Sequence, residues 1–273
     1  MTGTDNRPIG MFDSGFGGLT VARAVIDVLP SEDFVYIGDT GRYPYGPRPA
    51  TEVREFAREL AWSLVSDHNV KAIVVACNTA SAAAFTELSA ELPVPVVSVV
   101  EPGAHALSLT SQSKRVGVIG TVGTISSGAY QRALAVIDSS LSLTACACPG
   151  FVEFVERGQT SGDEVLLLAE RLLAPVVAAD IDALLLGCTH YPFLSRVISE
   201  VMGPEVVLVS SADETAFALA AMLDELKLRT SASAEGQHTF LSSGDVEWFA
   251  DFGRRLLGPE LSSASPWKRS KTD

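Results

Sequence analysis

The chain has 273 residues, 47% hydrophobic and 19% charged, enough to bury the core of one large domain or two ordinary ones. No run approaches the roughly 18 uninterrupted apolar residues of a membrane span, the opening MTGTDNRPIG has neither region of a signal peptide, and four cysteines are too few for a disulfide scaffold, so the expectation is a cytoplasmic protein with reduced thiols. A net charge of −13, with 20 Lys and Arg that form no basic stripe, argues against direct nucleic-acid binding and leaves anions to backbone N–H groups, hydroxyls, amides and helix N-termini.

In chain order, short β-branched runs alternate with Ala-rich helical segments, the pattern of helices on mostly parallel sheets. A strand over 8–12 (PIGMF) passes through the turn DSGFGG into a helix over 17–28. A strand over 34–37 (FVYI) leads through GDTGRYPYG to a helix over 50–67. The strand 72–76 ends in ACNTAS before a helix over 79–90, and the strand 95–99 precedes a helix over 102–111. The pattern restarts at 115–119 (RVGVI), with a helix over 124–136, a strand over 142–147, helices over 151–157 and 162–178, and a strand over 182–187 that ends in GCTHYP before a helix over 192–201. Strands at 206–209 and 238–242 and helices at 212–226 and 245–257 complete the chain, with a loop at 229–237 and a Ser/Pro/Lys-rich loose end after about 258.

Two repeats stand out. GMFDSGFGGLTVARAV (10–25) and GVIGTVGTISSGAYQRAL (117–134) both run strand, Gly-containing turn, helix; KAIVVACNTAS (71–81) and DALLLGCTH (182–190) follow at nearly the same offset and both close on a cysteine. These repeats predict two pseudo-symmetric, doubly wound α/β domains with mostly parallel sheets and the active site in the cleft between them. The first domain is 1–98 plus 208–265, the second 99–207, and 266–273 a flexible tail.

Ligands of parallel sheets sit beyond the carboxyl ends of the strands, where DSGFGG, GDTGRYPYG, CNTAS and GCTHYP converge. Cys77 and Cys188 then face one cleft from opposite halves. Thiols of pKa ~8.5 can take or return a proton when the site tunes them, and two matched acid/base groups suit moving a proton from one face of a carbon to the other. A helix starting after Cys77 offers N–H groups that favour its thiolate.

Competing chemistries have less support. A single-nucleophile thiol hydrolase has no use for the second cysteine, and no CxxC marks a redox protein; a non-catalytic binding protein would use the same cleft. Cys146 and Cys148 form CAC without a second Cys or His pair at ligand spacing, so no metal is expected. His68, His105 and His238 lie outside any motif, and DSGFGG lacks the spacing of a nucleotide-binding loop. Pyridoxal phosphate needs a Schiff-base lysine. Lys71 and Lys114 stand at the amino ends of their strands, and Lys227, Lys268 and Lys271 follow a helix or lie in the tail, so no cofactor is expected.

Six segments in order, DSGFGGLTV, GDTGRYPYG, ACNTASA, VIGTVGT, CPGFVEFVERG and LLLGCTHYP, resemble the signature segments of glutamate racemases, within the cofactor-independent amino-acid racemases. The resemblance implies interconversion of L- and D-glutamate to supply D-glutamate for peptidoglycan, in a homodimer. It implies Cys77 and Cys188 as catalytic thiols, Cys77 acting on D-glutamate and Cys188 on L-glutamate. Asp13 pairs with Cys77 and His190 with Cys188 in this reading, while Glu156 and Asp39 are secondary assistants. Substrate anchoring carries over to Asp13, Ser14, Tyr45, Gly46, Asn78, Thr79, Thr121, Thr189 and His190, with Asp13 a holder of the ammonium. Where the family has FVPLVE this chain has FVEFVE, so Glu153 competes with Glu156 for the cleft, and register to the following Arg-Gly favours Glu156. Aspartate or hydantoin racemases are the near alternatives. Some family members inhibit DNA gyrase, and no segment here bears on such an interaction.

Overall fold

A computed structural model describes residues 4–268. Its centre is two parallel sheets, each built outward from one buried strand. In the first, Ile9–Asp13 (β1) lies between Phe34–Gly38 (β2) and Ala72–Val75 (β3), with Val96–Ser98 (β4) beyond β3. In the second, Arg115–Gly120 (β5) lies between Ser142–Ala147 (β6) and Ala183–Gly187 (β7), with Val207–Val209 (β8) beyond β7. His238–Ser242 (β9) returns to the first sheet beside β2, and Ser265–Pro266 (β10) adds its edge. Every strand pair among the described residues is parallel. The α/β class of parallel, doubly wound sheets is as predicted.

Burial explains why the strands are legible. All five residues of β1 are buried, as are those of β2, β3 and β7, because helices cover both faces and every side chain of such a strand meets a core. The covering helices are Leu19–Val28 (α1), Ala50–His68 (α2), Asn78–Glu91 (α3), Val100–Thr110 (α4), Val122–Ser126 (α5), Ala129–Ile137 (α6), Phe151–Glu156 (α7), Asp163–Ala178 (α8), Ser195–Met202 (α9), Ala212–Glu225 (α10) and Val246–Leu257 (α11). No described helix is long and apolar enough to cross a membrane.

Three local readings change. The helix expected over 124–136 is two helices, α5 and α6. Gly128 between them takes the left-handed φ of +68°, and the Ser127 hydroxyl donates to Thr124 O at 2.6 Å and accepts from Ala129 N at 3.1 Å. The helix expected over 192–201 begins as a 3₁₀ turn, Tyr191–Leu194. The end after 258 is not loose over 258–268. β10 pairs with β9, Trp267 N donates to Ser242 O at 2.7 Å, and its indole Nε1 donates to Ser63 Oγ at 2.9 Å; one half-buried aromatic outweighs the polar composition around it. The rest of the expected 266–273 tail, from residue 269, lies outside the described residues.

In each sheet the chain winds one way from the central strand and then crosses back, so the switch points fall between β1 and β3 and between β5 and β7. The carboxyl ends of these four strands carry Ser14, Cys77, Thr121 and Cys188, and all four line one cavity.

Candidate active site

Cys77 lies two residues beyond β3 and caps α3, its Sγ accepting from Ala80 N at 3.4 Å and donating to Ser14 Oγ at 3.7 Å. Cys188 follows β7 in the matching place, but a turn rather than a helix follows it, and its Sγ is 3.9 Å from His190 Nδ1. The thiols are 4% and 6% exposed, so each is shielded from bulk solvent. Between them is a cavity of about 20 Å³, lined also by Ser14, Pro44, Tyr45, Gly46, Asn78, Thr79, Thr121, Val152, Glu156, Thr189 and His190. That space holds about one water and no amino acid, so this is a closed state.

The two halves dress their cysteines differently. Burial, and next the charge of Asp13, push the Cys77 thiol up to about 12 against the opposing pull of Ala80 N–H and Ser14. The helix N-terminus expected to favour a thiolate at Cys77 is present, but in the closed cavity desolvation wins. Around Cys188 the neighbour is cationic. Burial disfavours the His190 imidazolium, yet Cys188 and Glu156, with the charge of Asp13 behind, raise its pKa to about 10. Glu156 Oε1 stands 3.3 Å from His190 Nε2, within ion-pair range but off the line of a hydrogen bond.

Asp13 and Asp39 do not line the cavity. Asp13 is wholly buried behind it, with Oδ1 accepting from Gly15 N at 2.8 Å and Oδ2 from Thr189 Oγ1 at 3.3 Å; burial raises its pKa, while the charge of His190 and these donors lower it. It braces the loop that carries Ser14. Asp39 takes hydrogen bonds from Arg42 Nε at 2.7 Å, Ser243 Oγ at 2.6 Å and the Tyr45 hydroxyl, which fixes Tyr45 in the cavity wall. Asp39 therefore acts on Tyr45 and not on either cysteine. Of the competing glutamates, Glu156 faces the cavity, whereas Glu153 faces a separate space beside Cys148 and Pro149.

Contacts that join the two halves converge here. Thr79 Oγ1 is 2.9 Å from Thr121 Oγ1 and 3.3 Å from Thr124 Oγ1, and Gly123 N donates to Gly46 O at 2.9 Å. Asn78 Nδ2 donates to Tyr130 Oη at 2.7 Å, while Asn78 Oδ1 is buried without a partner. A Cβ on Gly17 would stand 2.4 Å from Thr189 Oγ1, so this glycine of DSGFGG serves close approach between the halves. Thr124, Tyr130, Pro44 and Val152 were not singled out from the sequence. Thr124 was within reach, as the third helical residue after an N-capping threonine; Tyr130 lies in another helix and half, with no local signal.

Among the described residues no cluster of His, Cys, Asp and Glu suits a metal. Cys146 Sγ donates to Leu172 O at 3.0 Å, as a core residue does. Lys71 is buried against Glu32 and Asp5 O, and Lys114 pairs with Asp138, both at amino ends of strands.

A profile of the Asp/Glu/Hydantoin racemase family matches residues 20–219. The chain belongs to this family. It is 51% identical over 259 residues to a glutamate racemase of Parafrankia sp. (strain EAN1pec), covering 94% of this chain and 93% of that one. Its fold is similar to crystal structures of glutamate racemases from Bacillus anthracis (TM-score 0.91, 39% identity, 98% of both chains) and, in complex with D-glutamate, from Francisella tularensis (TM-score 0.89, 34% identity, 97% of this chain and 99% of that one).

Proposed function

We propose that this protein interconverts L- and D-glutamate, with Cys77 and Cys188 addressing opposite faces of the α-carbon, and so supplies D-glutamate for peptidoglycan in the cytoplasm. The observation that carries the mechanism is the placement of two thiols at equivalent strand ends of two facing sheets, around one cavity. With Cys77 held as a neutral thiol and a cationic imidazole beside Cys188, the resting state is set for one direction. Cys188, as thiolate, takes the α-proton of L-glutamate; Cys77 gives its S–H proton to the opposite face; D-glutamate leaves, and the protonation states of the two sulfurs are exchanged. Ser14, Thr79, Thr121 and Thr189, with the backbone around Tyr45 and Gly46, hold the two carboxylates by neutral donors.

Admission of substrate requires the cavity to open, and we read 1–98 with 208–265, and 99–207, as the domains that part. In heavy water, D-glutamate formed in the first turnovers from L-glutamate should carry deuterium at the α-carbon while remaining L-glutamate stays protiated. Equal labelling of substrate and product would point to one exchanging base and overturn the two-thiol assignment.

A homodimer accords with a groove of about 730 Å³ on the outer surface between α3, α4, α6 and α10. Val136 at 88% exposure and Phe217 at 54% leave apolar area bare around it. Arg132, Glu101 and Glu214 all line the groove, which gives a self-complementary face charges of both signs. Val136→Asp should convert a sedimenting dimer to monomer; an unchanged mass would place the interface elsewhere.

A further inference from the structure

The turn that brings Tyr45 and Gly46 into the cavity wall is held from its far side, and the holder is Arg42. Its guanidinium donates from Nε to Asp39 Oδ2 and from Nη1 to Glu59 Oε2, each at 2.7 Å. Asp39 Oδ2 in turn accepts from the Tyr45 hydroxyl. Burial works against the charge of Arg42, and its Nη2 is buried without a hydrogen-bond partner. Two carboxylates and two aromatic faces offset that cost: Arg42 Cζ lies 4.3 Å from the ring centroid of Phe56 and 5.6 Å from that of Trp267.

Phe56 belongs to α2, which the turn itself enters. Trp267 comes from the other end of the sequence, just past β10, and is anchored without help from Arg42. Its N donates to Ser242 O at 2.7 Å and its indole Nε1 to Ser63 Oγ at 2.9 Å. The end of β9 beneath it grips the same turn, with Ser242 Oγ 2.6 Å from Thr40 Oγ1 and Ser243 Oγ donating to Asp39 Oδ1 at 2.6 Å. The indole is thus a fixed face on which the guanidinium rests. Without that face water reaches Arg42, satisfies Nη2 and draws the guanidinium off Asp39. Asp39 then keeps Ser243 but loses the second donor on the oxygen that holds Tyr45.

We infer that Trp267 is a positioning residue for substrate binding: its ring holds Arg42 against Asp39, and Asp39 fixes Tyr45 in the cavity wall. This rests on the glutamate reading above and extends it to a segment whose composition suggested a loose end. The same turn also serves closure, because Gly46 O accepts from Gly123 N of the other half at 2.9 Å. A loosened turn therefore weakens the wall and the shut cleft together.

The test compares two substitutions that keep an apolar cover over Arg42 and differ in whether it is aromatic. Trp267→Leu removes the ring face and should raise KM for both enantiomers of glutamate about fivefold, the range of one partly desolvated cation–π contact, with kcat within twofold of wild type. Trp267→Phe restores a ring and should keep KM within twofold. In an Arg42→Gln background, Trp267→Leu should add nothing further, since the ring acts through the guanidinium. An unchanged KM in Trp267→Leu, or a Trp267→Phe as impaired as Trp267→Leu, would show the residue to be packing alone and overturn the assignment. If Trp267→Leu fails to fold, Ser63→Ala decides: it frees the indole edge and should raise KM about twofold, and an unmoved KM there overturns the assignment as well. A wild type that racemises glutamate while these variants match it refutes only the role of Trp267; a wild type that does not racemise glutamate refutes the substrate reading itself.

Discussion

Glu156 offers the most direct check on the electrostatics around Cys188. Glu156→Gln keeps the shape of the side chain and removes a charge 3.3 Å from His190 Nε2. Two unit charges at that distance attract by about 5 kcal/mol at an effective dielectric constant of about 20, equivalent to at most about 3–4 pH units. The other supports remain: Cys188 and the charge of Asp13 still favour the imidazolium, against burial. The pKa of His190 should therefore fall from about 10 by roughly 1–2 pH units, within the range of one close opposite charge.

Titration of the imidazole ring protons by NMR reads this directly, with a His190→Asn sample to assign the signal. The alkaline loss of L-glutamate racemisation should move down with it. Stability follows the same sign: a histidine raised from 6.5 to about 10 supports the fold fully below about 6.5, and that support fades as pH rises through about 10. The variant's deficit should accordingly be full at neutral pH and close above about 10. An unmoved His190 titration in Glu156→Gln would refute the ion pair as the source of the raised pKa.

Cys77→Ala and Cys188→Ala should each fold and each lose nearly all racemisation in both directions, measured by polarimetry, since either change removes one of the two proton carriers. Carbonyl reagents and chelators should leave the rate of the purified protein unchanged. Lys71→Met leaves the Glu32 carboxylate buried without its cation, and should lower stability by about 3–5 kcal/mol in urea unfolding. Gly17→Ala drives a methyl group to 2.4 Å from Thr189 Oγ1 and 2.7 Å from His190 Nδ1; it should cost about 1–3 kcal/mol and most of the activity.

How far the sequence spoke for itself depended on whether a feature was local. Parallel strands covered on both faces are apolar runs, so β1, β2, β3 and β7 were visible without a partner in view. Cys77 and Cys188 were visible because both end such runs. Side-chain direction was not. Asp13 and Ser14 are adjacent, yet only Ser14 meets the cavity, and Asp39 turns to Arg42, Ser243 and Tyr45. Nor could local pattern reveal Tyr130, whose hydroxyl meets the cavity wall through a residue 52 positions away. β10 escaped because two residues carry no periodicity.

The closed cavity also bears on affinity. Beside the second bond of Thr79, to Thr124, four contacts cross between the halves around it: Asn78 to Tyr130, Thr79 to Thr121, Gly123 to Gly46 and Thr189 to Asp13. At about 0.5–1.5 kcal/mol net each, they hold the cleft shut by roughly 2–6 kcal/mol, which leaves an open form as a minor population. Apparent affinity for substrate falls by that population. Three of these contacts, however, use side chains proposed to bind glutamate, so bound substrate can replace in the closed complex much of what opening breaks. A tighter empty cleft would bind glutamate more weakly, and a looser one would let water reach the thiols. On this reading, Thr79→Val, which deletes the crossing contacts to Thr121 and Thr124 together with one substrate donor, weakens substrate binding by less than the loss of a hydroxyl donor alone would, because the open form becomes easier to reach.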